Sequence, residues 1–172
     1  AWYHTAIDYV VSHGLMVGAS ETVFDTEGKL TRGQLMSILY RLAGAPEVEA
    51  EVAFTDVDAD MYYAPAIAWA FENGIAYGVN ATNFAPDAPV TREQTAAFLA
   101  RYAQFAGVYE APSAGALKGF ADVQNITGYA VEYMAWAVEN EIVHGSNGKL
   151  LPTDTTRRCE AAVMMANFCI NF

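Results

Sequence analysis

Arginine stands three times at a place where a helix is expected to begin. Leu30-Thr31-Arg32-Gly33-Gln34 recurs as Val90-Thr91-Arg92-Glu93-Gln94 and, altered, as Thr156-Arg157-Arg158-Cys159-Glu160. A threonine followed three residues later by glutamine fits a capping box, in which hydroxyl and amide each satisfy an orphan backbone donor of a helix start. Arg32, Arg92 and, by alignment, Arg158 then occupy the first helical position. The helix N-terminus carries about half a positive charge, so a cation there is unfavourable by about 0.3–1 kcal/mol. A chain with Asp+Glu 20 and Lys+Arg 9 has nevertheless put a base in that slot three times, and such breaks in local consistency mark functional sites. The chemistry they offer is anion recognition. Helix-start N–H groups face an anion, and a planar guanidinium holds a carboxylate or phosphate by two parallel hydrogen bonds. The same arginines admit a structural role, each pairing with a carboxylate of a neighbouring unit, such as Asp56 or Asp122, and tying the units together. Both roles are compatible if the aspartate positions the arginine.

The elements that must position these arginines also repeat. At one constant offset Tyr3 falls on Tyr63, Ile7 on Ile67, Gly14 on Gly74, Gly18 on Gly78, Phe24 on Phe84, Leu39 on Leu99 and Arg41 on Arg101. A second offset, adjusted by one deletion, brings Tyr62 onto Tyr129, Trp69 onto Trp136, Ile75 onto Ile142, Gly78 onto Gly145, Pro86 onto Pro152 and Arg92 onto Arg158. The chain is therefore three copies of one unit. Each unit reads as helix, loop, helix. The stretch Tyr63–Asn73 is alanine-rich with apolar residues at helical spacing, Pro65 suits a first turn, and Asn73-Gly74 is a stop. His13-Gly14 stops the first helix of unit one, and Asn140 is expected to cap that of unit three. The second helix starts after Thr31 and Thr91. In unit three the threonine is replaced by Arg157, and Thr155 or Thr156 is expected to cap instead.

The fold class expected is all-α: three helix-loop-helix repeats packed around a common pseudo-threefold axis as one domain over 1–172. The repeats span 1–45, 54–107 and 120–172, with linkers at 46–53 and 108–119. Phe54-Thr55-Asp56-Val57 and Phe120-Ala121-Asp122-Val123 open units two and three; unit one has no such opening, so the chain is expected to be a piece of a longer polypeptide. A unit of about 50 residues cannot hide its apolar faces alone.

Composition narrows the function. The net charge of -11 disfavours nucleic acid, which wants a basic face, and an anionic membrane surface. No apolar run is long enough for membrane insertion. A local cluster can still bind an anion, because distant charges are screened beyond about 10 Å. Cys159 and Cys169, on one helix, would lie about 15 Å apart, too far to pair, and read as core residues. Asp56-Val57-Asp58-Ala59-Asp60 imitates a calcium loop, but Met61 and Ile67 stand where Gly and Glu are needed; an acidic turn capping the next helix is expected. His4, His13 and His144 have no metal spacing, so neither metal nor cofactor is expected. Tyr9, Trp69 and Trp136 sit at core positions. No nucleophile elbow or phosphate loop appears, and no enzyme activity is expected.

Phe54-x-Asp56-Val57, Tyr62, Ile67, Gly74-Ile75, Gly78, Phe84-x-Pro86 and Val90-Thr91-Arg92-Glu93-Gln94, in order and in three copies, resemble the S-layer homology (SLH) domain. The resemblance covers the whole chain. It implies a helical pseudo-trimer with grooves between its lobes. It also implies attachment of a larger exported protein to secondary cell-wall polysaccharide, anionic and often pyruvylated, on the bacterial cell surface. Arg32, Arg92 and Arg158 are implied to grip the anionic substituent, with Trp2, Tyr62 and Tyr129 facing the sugar rings. Asp56, Asp122 and Gly78 complete the candidate polysaccharide-binding set. The family's Thr-Arg-Ala-Glu is altered here: the acid is Gln34 and Gln94 in two units, kept only as Glu160, and the small residue is Gly33, Glu93 or Cys159. Glu93 beside Arg92 is expected to repel a carboxylate, giving unequal sites with Arg32 the least obstructed. The competing reading is a protein–protein or surface-lattice assembly module.

Overall fold

The computed structural model describes residues 1–172. It is all-helical, with no sheet: α1 (His4–Ser12), α2 (Arg32–Leu42), α3 (Ala64–Glu72), α4 (Arg92–Ala106), α5 (Val131–Glu139) and α6 (Arg158–Asn171). Two 3-10 turns, Val123–Asn125 and Gly128–Ala130, precede α5. Arginine is the first residue of α2, α4 and α6, as the repeats predict.

Local chemistry explains the helix ends. Thr31 and Thr91 each complete a capping box with Gln34 and Gln94. Unit three departs from expectation, since neither Thr155 nor Thr156 caps α6. The cap is Arg157, whose N–H donates to Glu160 at 2.8 Å; an arginine side chain has no acceptor to return the bond, so half the box is kept. Gly14 and Gly74 take the left-handed conformation after α1 and α3, and Glu141 takes it after α5. Asn73 and Asn140 instead donate their side-chain amides to the carbonyls of Trp69 and Trp136, each at 2.9 Å.

The helices pair out of step with the repeats. α2 packs chiefly on α3, α4 on α5, and α6 on α1. Each unit therefore lends its first helix to the second helix of the unit before it, and the chain's first helix closes the ring on its last. The second helices of the three units start at a shared axis. There Leu30 N–H donates to Thr156 O, Thr156 N–H to Val90 O, and Val90 N–H to Leu30 O, each at 2.9 Å. Leu30, Val90 and Thr156 are fully buried around this triangle. Thr156, polar where its counterparts are apolar, is satisfied by the Thr95 hydroxyl at 2.9 Å. A single core of 40 buried residues surrounds the axis and includes Trp69 and Trp136, while Tyr9 packs at its edge. No helix is long and apolar enough to cross a membrane.

Candidate functional site

Each N-terminal arginine reaches across the axis into the loop of the next unit. Arg32 Nε donates to Phe84 O at 2.9 Å and a terminal nitrogen to Tyr77 O at 3.0 Å. Arg92 repeats this with Leu150 O at 2.9 Å and His144 O at 3.4 Å. Arg158 closes the cycle with Phe24 O at 2.9 Å and with Val17 O. The interlock is made by carbonyls. Asp56 and Asp122 form no ion pair with these arginines; each clamps the loop the arginine reads. Asp56 accepts from Phe84 N–H at 2.8 Å and Ala85 N–H at 2.7 Å. Asp122 accepts from Leu150 and Leu151 N–H, both at 2.8 Å. So the aspartate positions the arginine's partner.

The same loops take the helix-start amides, which sequence reasoning had assigned to an anion. Arg32 and Gly33 N–H donate to Ala88 O and Pro86 O, Arg92 and Glu93 N–H to Asp154 O and Pro152 O, and Arg158 and Cys159 N–H to Gly28 O and Thr26 O, at 2.8–3.0 Å. With the amides occupied, the arginine side chains alone remain for an anion. The ring of carbonyls also explains why a cation is tolerated at the positive end of each helix.

Three grooves open beside these contacts, related by the repeat. One, of about 380 Å³, is lined by Arg32, Tyr77, Gly78, Gln94, Arg101 and Tyr129 among others. Another, of about 500 Å³, has the matching residues Arg158, Val17, Gly18, Gln34, Arg41 and Tyr62, with Lys29 and Asp25 at its edge. The third, of about 360 Å³, holds Arg92, His144, Gly145, Glu160 and Trp2, with Arg157 beside them. Trp2, Tyr62 and Tyr129 are exposed on the groove walls, so each arginine shares its groove with one of the three aromatics. Gly78 lines the first groove for a backbone reason: a Cβ there would run into Asn80 O, Asn83 O and the Phe54 ring.

Two groups outside the candidate polysaccharide-binding set complete the site. Arg101 and Arg41 are second cations in the Arg32 and Arg158 grooves. The Arg101 guanidinium lies 5.0 Å from the Tyr77 ring centre and 5.1 Å from that of Tyr133, held by cation–π contacts, and it makes no hydrogen bond or ion pair. The coincidence of Arg41 with Arg101 in the repeat was the available signal. Burial pulls the Arg32 guanidinium below its usual value; Tyr129 and Asp56 oppose that shift and Arg101 adds to it. Burial likewise lowers Arg158, against Asp25 and Tyr62. Both stay charged, since arginine does not deprotonate in proteins.

The second group is the residue at the third helical position. Glu160 bonds Arg92 at 3.2 Å and Arg157 at 3.2 Å, and Arg157 also pairs with Glu27 at 2.8 Å. Gln94 and Gln34 occupy that place in the other two grooves and cannot neutralise. The acid on Arg92 is thus Glu160. Glu93, expected to be the repelling group, is buried with its carboxylate taken by Thr127 N–H at 2.9 Å and Thr127 Oγ1 at 2.6 Å.

The remaining chemistry-bearing residues lie outside the grooves or have structural partners. Asp58 closes its own turn by accepting from Asp60 N–H at 3.0 Å; α3 has no side-chain cap, so the acidic turn does not cap the helix as expected. Cys159 and Cys169 are both free on α6.

A model of the S-layer homology domain matches residues 1–36, 53–96 and 119–162. The chain is 34% identical over 165 residues to the surface-layer 125 kDa protein of Lysinibacillus sphaericus, covering 94% of this chain and 13% of that protein. It is 27% identical to the amylopullulanase of Thermoanaerobacterium thermosulfurigenes, over 95% of this chain and 9% of that one. It is 26% identical to the exoglucanase XynX of Acetivibrio thermocellus, over 95% of this chain and 15% of that one. The chain thus spans a small share of the length of each relative.

Proposed function

The chain belongs to the S-layer homology domain family, and from that premise we propose that it anchors a larger exported protein to a bacterial cell surface by binding anionic secondary cell-wall polysaccharide. The three relatives differ in what their names describe, a surface-layer protein, an amylopullulanase and an exoglucanase. A segment shared by such different proteins suits attachment better than a common reaction. The observation that carries the ligand class is the groove around Arg32. In a chain of net charge -11, it gathers Arg32 and Arg101 beside exposed Tyr129 with no acidic residue in its lining. Two guanidiniums suit a carboxylate or phosphate, and a tyrosine face suits a sugar ring. The module is read as non-catalytic, because glycoside hydrolysis calls for a pair of carboxyl groups across the bond and this groove has none.

The test is sedimentation with purified wall polysaccharide, native and stripped of its acidic substituents. Native polymer is expected to retain the protein and stripped polymer to release it. Tyr129→Ala and Arg101→Ala are expected to weaken retention about tenfold each while the melting temperature holds, since neither side chain makes a hydrogen bond within the fold. Equal retention on native and stripped polymer would refute the anionic ligand. No retention on either would favour the second reading, a protein–protein or surface-lattice module, for which exposed Val17, Tyr77 and Val79 at the groove rims supply apolar contact.

A further inference from the structure

The loops that hold the three arginines differ in how they are clamped. In units two and three the clamp is a short extended segment that docks on the loop at three points. Its phenylalanine ring lies against a glycine, so that a Cβ on Gly78 would run into Phe54 and one on Gly145 into Phe120. Its next residue donates N–H to the loop, Thr55 to Thr82 O and Ala121 to Gly148 O, each at 2.9 Å. Its aspartate, Asp56 or Asp122, accepts two neighbouring loop amides. Unit one builds the receiving half of this contact. Asp25 takes the left-handed turn of Ala85 and Leu151, with φ 56 against 58 and 53. The N–H groups of Phe24 and Asp25 and the carbonyl of Thr22 have no hydrogen-bond partner. The atoms nearest a Cβ on Gly18 are backbone atoms of Ser20 and Val23. Val11 stands where Phe71 meets the Phe54 ring edge-on at 5.1 Å, and it is 45% exposed. The corner is correspondingly looser: Phe24 and Arg158 are half-buried, whereas Phe84, Leu150, Arg32 and Arg92 are buried.

We propose that this face of unit one is a peptide-binding site, and that its occupancy tightens the Arg158 corner. The ligand is an extended segment of a second polypeptide with an aromatic residue, any residue, an aspartate and an aliphatic residue in order. Residues 54–57 and 120–123 of the same chain show how such a segment is read. Two adjacent unpaired amides hold a carboxylate by charge-assisted bonds. The Thr22 carbonyl takes a backbone N–H and fixes the direction of the segment, while Gly18 and Val11 seat the ring. The turn is already formed, so binding does not have to order it. One group opposes, the Asp25 carboxylate, which Ala85 and Leu151 lack; it lies along Gly28, in the lining of the Arg158 groove. The coupling to Arg158 is a matter of one peptide plane. Asp25 N–H and Phe24 C=O are two ends of the same rigid unit, and Phe24 O accepts the Arg158 Nε–H at 2.9 Å. A carboxylate that fixes one end fixes the other. The site takes peptide rather than sugar and does not depend on the anchoring reading.

Hydrogen exchange followed by NMR tests this, with acetyl-Phe-Thr-Asp-Val-amide titrated into the whole chain. In the chain alone the Phe24 and Asp25 amides are expected to exchange freely, while those of Phe84, Ala85, Leu150 and Leu151 are protected. The peptide is expected to protect Phe24 and Asp25 in a saturable manner and to slow exchange at Arg158 Nε–H, with Arg32 and Arg92 unmoved. Asparagine in place of the peptide's aspartate, or alanine in place of its phenylalanine, is expected to weaken binding about tenfold. Val11→Asp puts a charge in the ring seat at an exposed position, and is expected to weaken binding as much at an unchanged melting temperature. Free exchange at Phe24 and Asp25 up to the solubility limit of the peptide overturns the proposal. So does equal binding of the asparagine peptide, full affinity in Val11→Asp, or protection of the two amides with no change at Arg158.

Discussion

The Arg32 and Arg92 corners have the same skeleton and opposite surroundings. In each, an arginine at the start of a helix donates Nε–H to a loop carbonyl at 2.9 Å, the next helix amides bind the same loop, and an aspartate clamps that loop from behind. Around this constant core nearly every side chain differs: Phe84 and Phe98 against Leu150 and Met164, Gln94 against Glu160, Arg101 against Asn167. The clamps differ as well, since Asp122 is buried and Asp56 is exposed. The backbone interlock is what holds neighbouring units together, so it tolerates little change. The side chains facing the groove carry no such duty and are free to set its charge. One arginine is thus ion-paired to Glu160, and its counterpart meets no acid in its groove.

The clamps offer the hardest test of that division. Asp122→Ala removes a buried carboxylate that accepts two charge-assisted bonds and leaves two loop amides without partners. It is expected to cost about 3 kcal/mol, a fall in melting temperature of about 6–12 °C for a chain of this size. Asp56→Ala, at an exposed position, is expected to cost about 1 kcal/mol. Burial pushes the Asp122 carboxyl up, but the Leu150 and Leu151 amides, with Lys149, outweigh it and hold the group below its ordinary value. A depressed folded pKa gives stability that is full above the unfolded value near 3.9 and is lost as pH falls through the folded value. Melting curves from pH 7 downward should therefore show Asp122→Ala losing its deficit relative to the parent at the acid end. Equal costs for the two aspartates, or a deficit that does not depend on pH, would break the comparison.

A middle-sized effect belongs to Glu160. Glu160→Gln keeps an acceptor for the Arg157 N–H, the bond that Gln34 and Gln94 make at 3.0 and 3.1 Å, and it loses the ion pairs to Arg92 and Arg157. Both Arg92 and Glu160 side chains remain slightly open to solvent, so urea denaturation is expected to show a loss of about 1 kcal/mol. A loss beyond about 3 kcal/mol would make Glu160 part of the lock rather than a groove-facing residue.

How far these differences were legible in the sequence depends on whether a side chain or a backbone atom carries them. Thr31 and Gln34 announce a helix start because both partners sit within four residues, and the helix they predict is observed. Arg32 stands out because its charge opposes the dipole. Its partners, the carbonyls of Tyr77 and Phe84, are backbone atoms of another unit and leave no mark in residue types. The same holds for Ala88 O and Pro86 O, which fill the helix start and remove it as an anion site. Asp56 looked like a salt-bridge partner since carboxylates pair with guanidiniums, whereas its actual partners are again backbone amides. Thr156 looked like a cap and became a core residue, because the buried triangle around the axis needs its backbone there. Pairing of α1 with α6 closes a ring that only packing in three dimensions defines.

The smallest expected effect probes the loops themselves. Ala85 and Leu151 occupy matching positions just beyond the arginine-bound carbonyls, and both adopt left-handed backbone, with φ 58 and 53. An L-residue pays about 1–2 kcal/mol there, and glycine removes that penalty at the expense of about 0.5–1 kcal/mol of unfolded-chain entropy. Ala85→Gly loses almost no side chain, so it should stabilise the fold by about 0.5 kcal/mol, a rise of about 1–2 °C. Leu151→Gly relieves the same backbone strain but strips an isobutyl group that is 37% exposed and lines the Arg92 groove. Even a partly exposed leucine contributes about 1 kcal/mol, enough to cancel the gain. Differential scanning calorimetry should thus show a rise for Ala85→Gly and none for Leu151→Gly. Equal rises would mean that Leu151 packs against nothing of consequence where it lines the Arg92 groove.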